Sequence, residues 1–180
     1  MRFLRPGRDE GAAAVETSLV LPIVVLLIFG IIEFGILFNR LQGVHAASRE
    51  AARFGSLIGV TVGEIQVKSE DAAPPFVDFD DLQVTVRRLQ VLENGTETET
   101  GTWTWDPVAD TWSGGVATDV PCDESLEPDP DVPSDNTEVA SINVRVELEL
   151  LNPNDYGVTI PLFGSFAFAH PSGAEFRCEY

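Results

Sequence analysis

Few side chains in this 180-residue chain are arranged for chemistry. Its two histidines, His45 and His170, lie in separate regions. No GxSxG, HExxH, P-loop or dinucleotide fingerprint occurs. Carboxylates are abundant, but abundance alone does not define an acid/base pair. His45 has no metal-ligand spacing around it and reads as a solvated residue. The acidic stretch 119–138 lacks the glycine and ligand spacing of an EF-hand, and prolines interrupt it. These residues point to a protein that is not an enzyme and needs no cofactor and no metal.

Three sets of residues remain. Cys122 and Cys178 are the only cysteines, an even pair in an acidic segment. They fit a disulfide formed outside the cytosol, with two free thiols as the alternative. Trp103, Trp105 and Trp112 fall within ten residues of one another. Glu16 and Glu33 are isolated acids bracketing the most apolar part of the chain.

The formal net charge of −18 is unevenly spread. Residues 1–53 hold six arginines and five acids, a balance of +1. Residues 54–180 hold five bases and 24 acids, a balance of −19. A nucleic-acid binder would cluster Lys and Arg instead.

The near-neutral part contains the uncharged run TSLVLPIVVLLIFGII at residues 17–32. A bilayer-spanning helix needs about 20 mostly apolar residues. The run alone reaches roughly 24 Å, so the span takes in Glu33 or sets it at the far interface. Pro22 removes one helix hydrogen bond and is a candidate kink. Arg2, Arg5 and Arg8 favour a cytoplasmic amino end. Arg40, Arg49 and Arg53, beyond the span, oppose that bias. The cysteine pair tips the assignment toward a single-pass cell-membrane protein with an extracytoplasmic carboxyl-terminal domain. A conventional cleaved signal would put its small residues after the apolar run. Here Gly11-Ala12-Ala13-Ala14 comes before it.

That inverted order resembles pilin-like precursors, with a short basic leader, a cut after glycine and an acid fifth in the mature chain. The segments GAAAVE, LVLPIVVLLIFGIIEFG and AASREAARFG are similar to the TadE-like family of tight-adherence (Flp) pilus pseudopilins. The resemblance covers roughly residues 8–55. It implies cleavage between Gly11 and Ala12 by a prepilin peptidase, which makes Glu16 the fifth mature residue. Thr17 follows Glu16, where this class usually carries an aromatic. The resemblance also implies that Glu16 registers subunits by pairing with a neighbour's freed amine. Without it, Glu16 reads as an interfacial acid near the positive end of a helix. Glu33 lies about 25 Å further along a straight helix. It reads as an outer-headgroup acid or as the partner of a basic group on another helix.

The elements that must position these residues form an α+β chain. A basic leader occupies residues 1–11. A transmembrane and spine helix is expected over 12–58. Its outer half carries Leu41, Val44, Ala47, Ala51, Phe54, Leu57 and Ile58 at helical spacing. An acidic, β-rich outer domain over 59–180 should form a small antiparallel sheet with long loops, against which the helix packs. Strands are expected over 82–91 and 139–151, where apolar and polar residues alternate. Asn94-Gly95 marks a hairpin turn. Residues 102–105 and 111–113 suggest a second hairpin. Its three tryptophans would form either a cluster covering the sheet or a surface for an aromatic or sugar partner. The proline-rich acidic stretch 119–138 reads as an exposed, flexible loop. A last strand or pair is expected over 159–169, then a turn at 170–173.

Two functions follow. One is a membrane-anchored minor pilin working with other pilin-like subunits and pilus assembly machinery. The other is a bitopic extracytoplasmic binding protein whose helix is only an anchor.

Overall fold

The computed structural model describes residues 8–75, 77, 79–123, 125, 139–151, 158–160, 164–166 and 172–179. Its longest element is α1, Arg8–Gly55, 48 residues without interruption. The helix begins inside the basic leader and runs through Pro22. It ends at Gly55, short of the expected Ile58. The chain just beyond is captured by the carboxyl-terminal tail: Glu179 N–H donates to Ser56 O at 2.9 Å, and Leu57 bridges Glu179 in parallel.

A second helix, α2 (Val62–Ala72), follows beyond the expected end of the spine. It starts at a capping box. Glu64 N–H donates to Thr61 Oγ1 at 3.2 Å, and Thr61 N–H donates to Glu64 Oε2 at 2.9 Å. Two otherwise orphaned backbone donors are thereby satisfied. α2 runs back down α1: Ile65 lies at Gly55, Lys68 reaches Glu50 at 3.4 Å and Pro74 abuts Gly43.

A single 3-10 turn, Phe79–Asp81, leads into strand β1, Leu82–Leu92. Then come β2 (Glu97–Asp106), β3 (Thr111–Ser113), β4 (Val139–Leu150), β5 (Val158–Ile160), β6 (Gly164–Phe166) and β7 (Ser172–Arg177). Five of these make one antiparallel sheet in the order β3-β2-β1-β4-β7, so the fold is α+β. β5 and β6 form a separate two-stranded sheet. The β1–β2 turn places Gly95 at φ 81°, a conformation that glycine adopts without a Cβ penalty.

Alternation in β1 and β4 decides which face is covered. Leu82, Val84, Val86, Ile142, Val144, Val146 and Leu148 are all buried. α1's outer half and α2 lie over them. Each fully buried aliphatic side chain contributes about 1.5–3 kcal/mol. The opposite face is polar. Arg87 lies between Glu99 and Glu147, and Arg145 pairs with Glu175 at 2.5 Å.

Two expectations about loops need correction. The stretch from 119 is not exposed at its start, because Pro121 and Cys122 are fully buried. Residues 114–123 form a strap across the α1–α2 connection. Gly59, Val62 and Gly63 N–H groups donate to the carbonyls of Cys122, Asp119 and Ala117 at 3.1, 2.8 and 2.9 Å. The strap therefore supplies acceptors for α2's first amides, which a polar-loop reading overlooks. Residues 126–138 lie outside the described residues. The turn expected at 170–173 is also replaced in part, since Ser172 and Gly173 belong to β7 and pair with Leu148 and Glu147. Residues 167–171, including His170, lie outside the described residues.

Candidate functional site

The inner half of α1 has no side-chain cover. Leu19, Leu21, Ile23, Leu27, Ile28, Ile31 and Ile32 are each at least half exposed, and a helix this long and apolar could cross a membrane. In water that surface would be unfavourable; in hydrocarbon it is the required one. The polar groups within it are satisfied locally. Thr17 Oγ1 donates to Ala13 O at 2.8 Å, and Ser18 Oγ donates to Val15 O at 2.7 Å. Thr17, where an aromatic was expected by resemblance, thus costs little in lipid.

Gly11, Ala12 and Glu16 lie on this exposed half. Glu33 is half-buried, four residues before Leu37, the first buried residue of the helix. At 3.6 residues per turn, Glu33 falls on the same line as Leu37, Val44 and Ala51, the side that packs on the outer domain. Glu16 is rotated about 100° from that line. The two acids are therefore not equivalent: Glu33 faces the domain side, and Glu16 faces sideways to it. Their separation of about 25 Å is less than the roughly 30 Å of hydrocarbon. In a bilayer, with Glu33 at one headgroup boundary, the Glu16 carboxylate would lie about 5 Å inside the other and would need snorkelling or a partner.

The outer half of α1 is built differently. Val44, Ala47, Ser48, Ala51 and Ala52 are buried, four of them completely. Small side chains bring the helix close to its neighbours. A Cβ on Gly55 would sit 2.6 Å from Ile65 Cδ1, and one on Gly43 2.4 Å from Pro74 Cγ. His45 is exposed.

The tryptophans belong to the core side of the sheet. Trp103 pairs with Val86 and Trp105 with Val84. Trp103 is buried, its Nε1 donates to Asp119 Oδ2 at 2.8 Å, and Arg88 lies over its ring at 5.7 Å. Trp105 and Trp112 are half-buried and stack tilted, with centroids 5.7 Å apart. Asp119 also accepts from Val116 N–H at 2.9 Å. That backbone bond, followed by the Trp103 indole, holds its carboxyl below the usual range. Asp119 is therefore a structural fastener of the strap. Its sequence, one acid among eight in an acidic stretch, gives no sign of this.

Cys122 and Cys178 form a disulfide with a Cα separation of 5.8 Å. It ties the strap to the residue after β7, at the outer end of α1. Among the described residues, no group of three His, Cys, Asp or Glu is arranged to hold a metal ion.

Residues 11–53 match the family model described as TadE-like protein. This stretch is TadE-like. The TadE-like segment takes in the exposed half of α1, both marked acids and most of the buried alanine seam. It stops before the strap and the sheet. No curated protein and no solved structure matches the chain.

Proposed function

We propose that this protein is a single-pass, membrane-anchored minor pilin of TadE-like type, a pseudopilin. It takes part in assembling a tight-adherence pilus or a related secretion filament. The observation that carries this reading is the coincidence of the TadE-like match with a helix half whose bulky side chains are uncovered. TadE-like proteins are pilin-like structural components, in keeping with a non-catalytic role. The amino end is cytoplasmic and the acidic domain extracytoplasmic, where a disulfide persists. Prepilin peptidase cuts between Gly11 and Ala12. Glu16, partly submerged and off the line that faces the protein's own domain, pairs with the new amine of a neighbouring subunit. The membrane, other pilin-like subunits and the pilus assembly machinery are its partners.

The test is the mass of the mature protein from membranes with and without prepilin peptidase, together with Glu16→Gln. We expect a peptidase-dependent start at Ala12 and at least a tenfold loss of surface pili for Glu16→Gln. An intact Met1 and unchanged piliation would leave the helix as an anchor only. The anchor-only reading would then need a ligand surface, and the burial of Trp103 makes the tryptophan hairpin a poor one.

A further inference from the structure

Two pairs of like charges in the outer half face solvent without a partner. Arg49 and Arg53 stand about one turn apart on the exposed back of α1, and neither makes a side-chain hydrogen bond or ion pair among the described residues. Like charges at this spacing on a helix repel each other. Glu70 and Asp71 are exposed in the last turn of α2 and are equally unpaired among the described residues. Acids in a last turn oppose the helix dipole, and this turn holds no base. The sheet treats its arginines differently: Arg87 is held by Glu99 and Glu147, and Arg145 by Glu175 and Glu97. Each unpaired set therefore carries the charge that the other needs.

Their positions on the spine fit a contact between copies. Around α1, Arg49 lies about 60° from Glu16 and Arg53 about 100° from it, so Arg49 is on Glu16's side and Arg53 at its margin. Glu50 and Gly43, touched by Lys68 and Pro74, lie about 160° and about 180° from Glu16. Glu70 and Asp71 come between Lys68 and Pro74, so they belong to the side opposite Glu16. Height along the spine agrees. α2 descends α1 with Ile65 at Gly55, Lys68 at Glu50 and Pro74 at Gly43, which sets Glu70 and Asp71 near the level of Ala47. The two arginines centre on Ala51, about 6 Å further out. Pairing Glu16 of one subunit with the Ala12 amine of the next raises the next subunit by the same four residues, about 6 Å. That step lifts its Glu70 and Asp71 to a height between Arg49 and Arg53 of the first.

We infer that Arg49 and Arg53 of one copy dock on Glu70 and Asp71 of a second copy of this chain. Neighbours standing side by side in the same orientation present opposite sides to each other, the Glu16 side of one to the α2 side of the next. The contact is head-to-tail, and each copy uses both surfaces, so it extends from subunit to subunit as a filament requires. Lipid does not supply the negative charge. Arg49 stands about 24 Å beyond Glu33, clear of headgroups at that level. The inference rests on the pairing of Glu16 with a neighbour's amine in the proposed function.

Two differently tagged copies of the full chain are co-expressed in bacterial membranes, and recovery of one tag with the other is measured after extraction in mild detergent. Arg49→Glu with Arg53→Glu should lower recovery about fivefold or more, and Glu70→Lys with Asp71→Lys should do the same, because each reversal sets like charges against each other. All four substitutions in one chain should restore at least half of the native recovery. The neutral pair Arg49→Gln with Arg53→Gln should lower recovery less and remove its dependence on salt, and it decides the matter if a reversed pair does not fold. An intact Cys122–Cys178 bridge in each variant reports a folded outer domain. A loss that the fourfold variant does not recover assigns the arginines to a different acidic partner and overturns the contact. Native copies that do not co-purify overturn it too. Unchanged recovery in the reversed variants, beside lost piliation for Glu16→Gln, overturns the contact and preserves the pilin reading. Unchanged recovery with unchanged piliation overturns both.

Discussion

The two halves of α1 invert the usual relation between size and burial. The inner half exposes Leu, Ile, Val and Phe, while the outer half buries Ala, Ser and Gly. In a water-soluble helix the larger apolar residues would be inside. Here each half is suited to a different solvent. The inner half has large side chains because lipid tails will cover them. The outer half has small ones because a sheet and a second helix must approach closely. One continuous helix thereby links a bilayer solvent to a folded core without a joint.

Removing the clasp that closes the outer core should separate the halves most sharply. The Cys122–Cys178 bridge spans 56 residues of sequence. In the chain-entropy model a loop of that size is worth about 4 kcal/mol. The double variant Cys122→Ala, Cys178→Ala should lose about that much outer-domain stability in denaturant titration. The helicity of the inner half in detergent micelles should not change. Equal loss of both signals would mean that the halves fold as one unit.

The next largest effect comes from exchanging the size rule. Ala51 is completely buried in the seam. Ala51→Leu forces three more heavy atoms between α1 and its neighbours, and overpacking of this kind costs about 1–3 kcal/mol. Leu27→Ala, in the exposed half, should leave the outer domain's denaturation midpoint where it was. If the two substitutions destabilised the domain equally, the contrast between the halves would fail.

The same contrast explains what the sequence made legible. The apolar run and the alternating strands at β1 and β4 each carry a local pattern, and they form the helix and the strands that pattern implies. The second helix left a sequence signal too, since Thr61 and Glu64 have capping-box spacing. Gly55, Gly59 and Gly63 surround that signal, and glycine is a poor helix former. Gly55, the last residue of α1, also lets Ile65 pack closely against it. The strap was illegible for a different reason. Its value lies in backbone carbonyls that cap α2 and in one aspartate that holds an indole, and neither leaves a periodic trace. Composition alone made residues 119–123 look like the start of a solvated loop, whereas a disulfide and three backbone bonds bury part of them. Glu16 and Glu33 were visible as isolated acids, but their different faces became clear only once the buried side of α1 was known.

The smallest expected effect tests whether the α2 cap serves only the outer half. Thr61 and Glu64 satisfy each other's backbone donors, and the Thr61 backbone bond, then its hydroxyl, lowers the Glu64 carboxyl below its ordinary value near 4.5. A group whose folded value is depressed stabilises the fold above its unfolded value, and that contribution is lost as pH falls through the folded value. At pH 7 Glu64 is ionised and both cap bonds are made, so Thr61→Ala should cost about 1 kcal/mol. As pH falls through the lowered folded value, Glu64 takes up a proton and its bond from the Thr61 hydroxyl, which Thr61→Ala lacks, weakens. The gap between native and Thr61→Ala proteins should therefore narrow as pH falls below the ordinary carboxylate range, while the Thr61 hydroxyl still accepts from Glu64 N–H. Denaturation midpoints of the two proteins at pH 7, 4 and 2.5 measure it. A gap that stays constant would mean that the bond from the Thr61 hydroxyl to the carboxylate adds nothing. A loss of inner-half helicity in the same samples would mean that the cap's influence crosses from one half of the spine to the other.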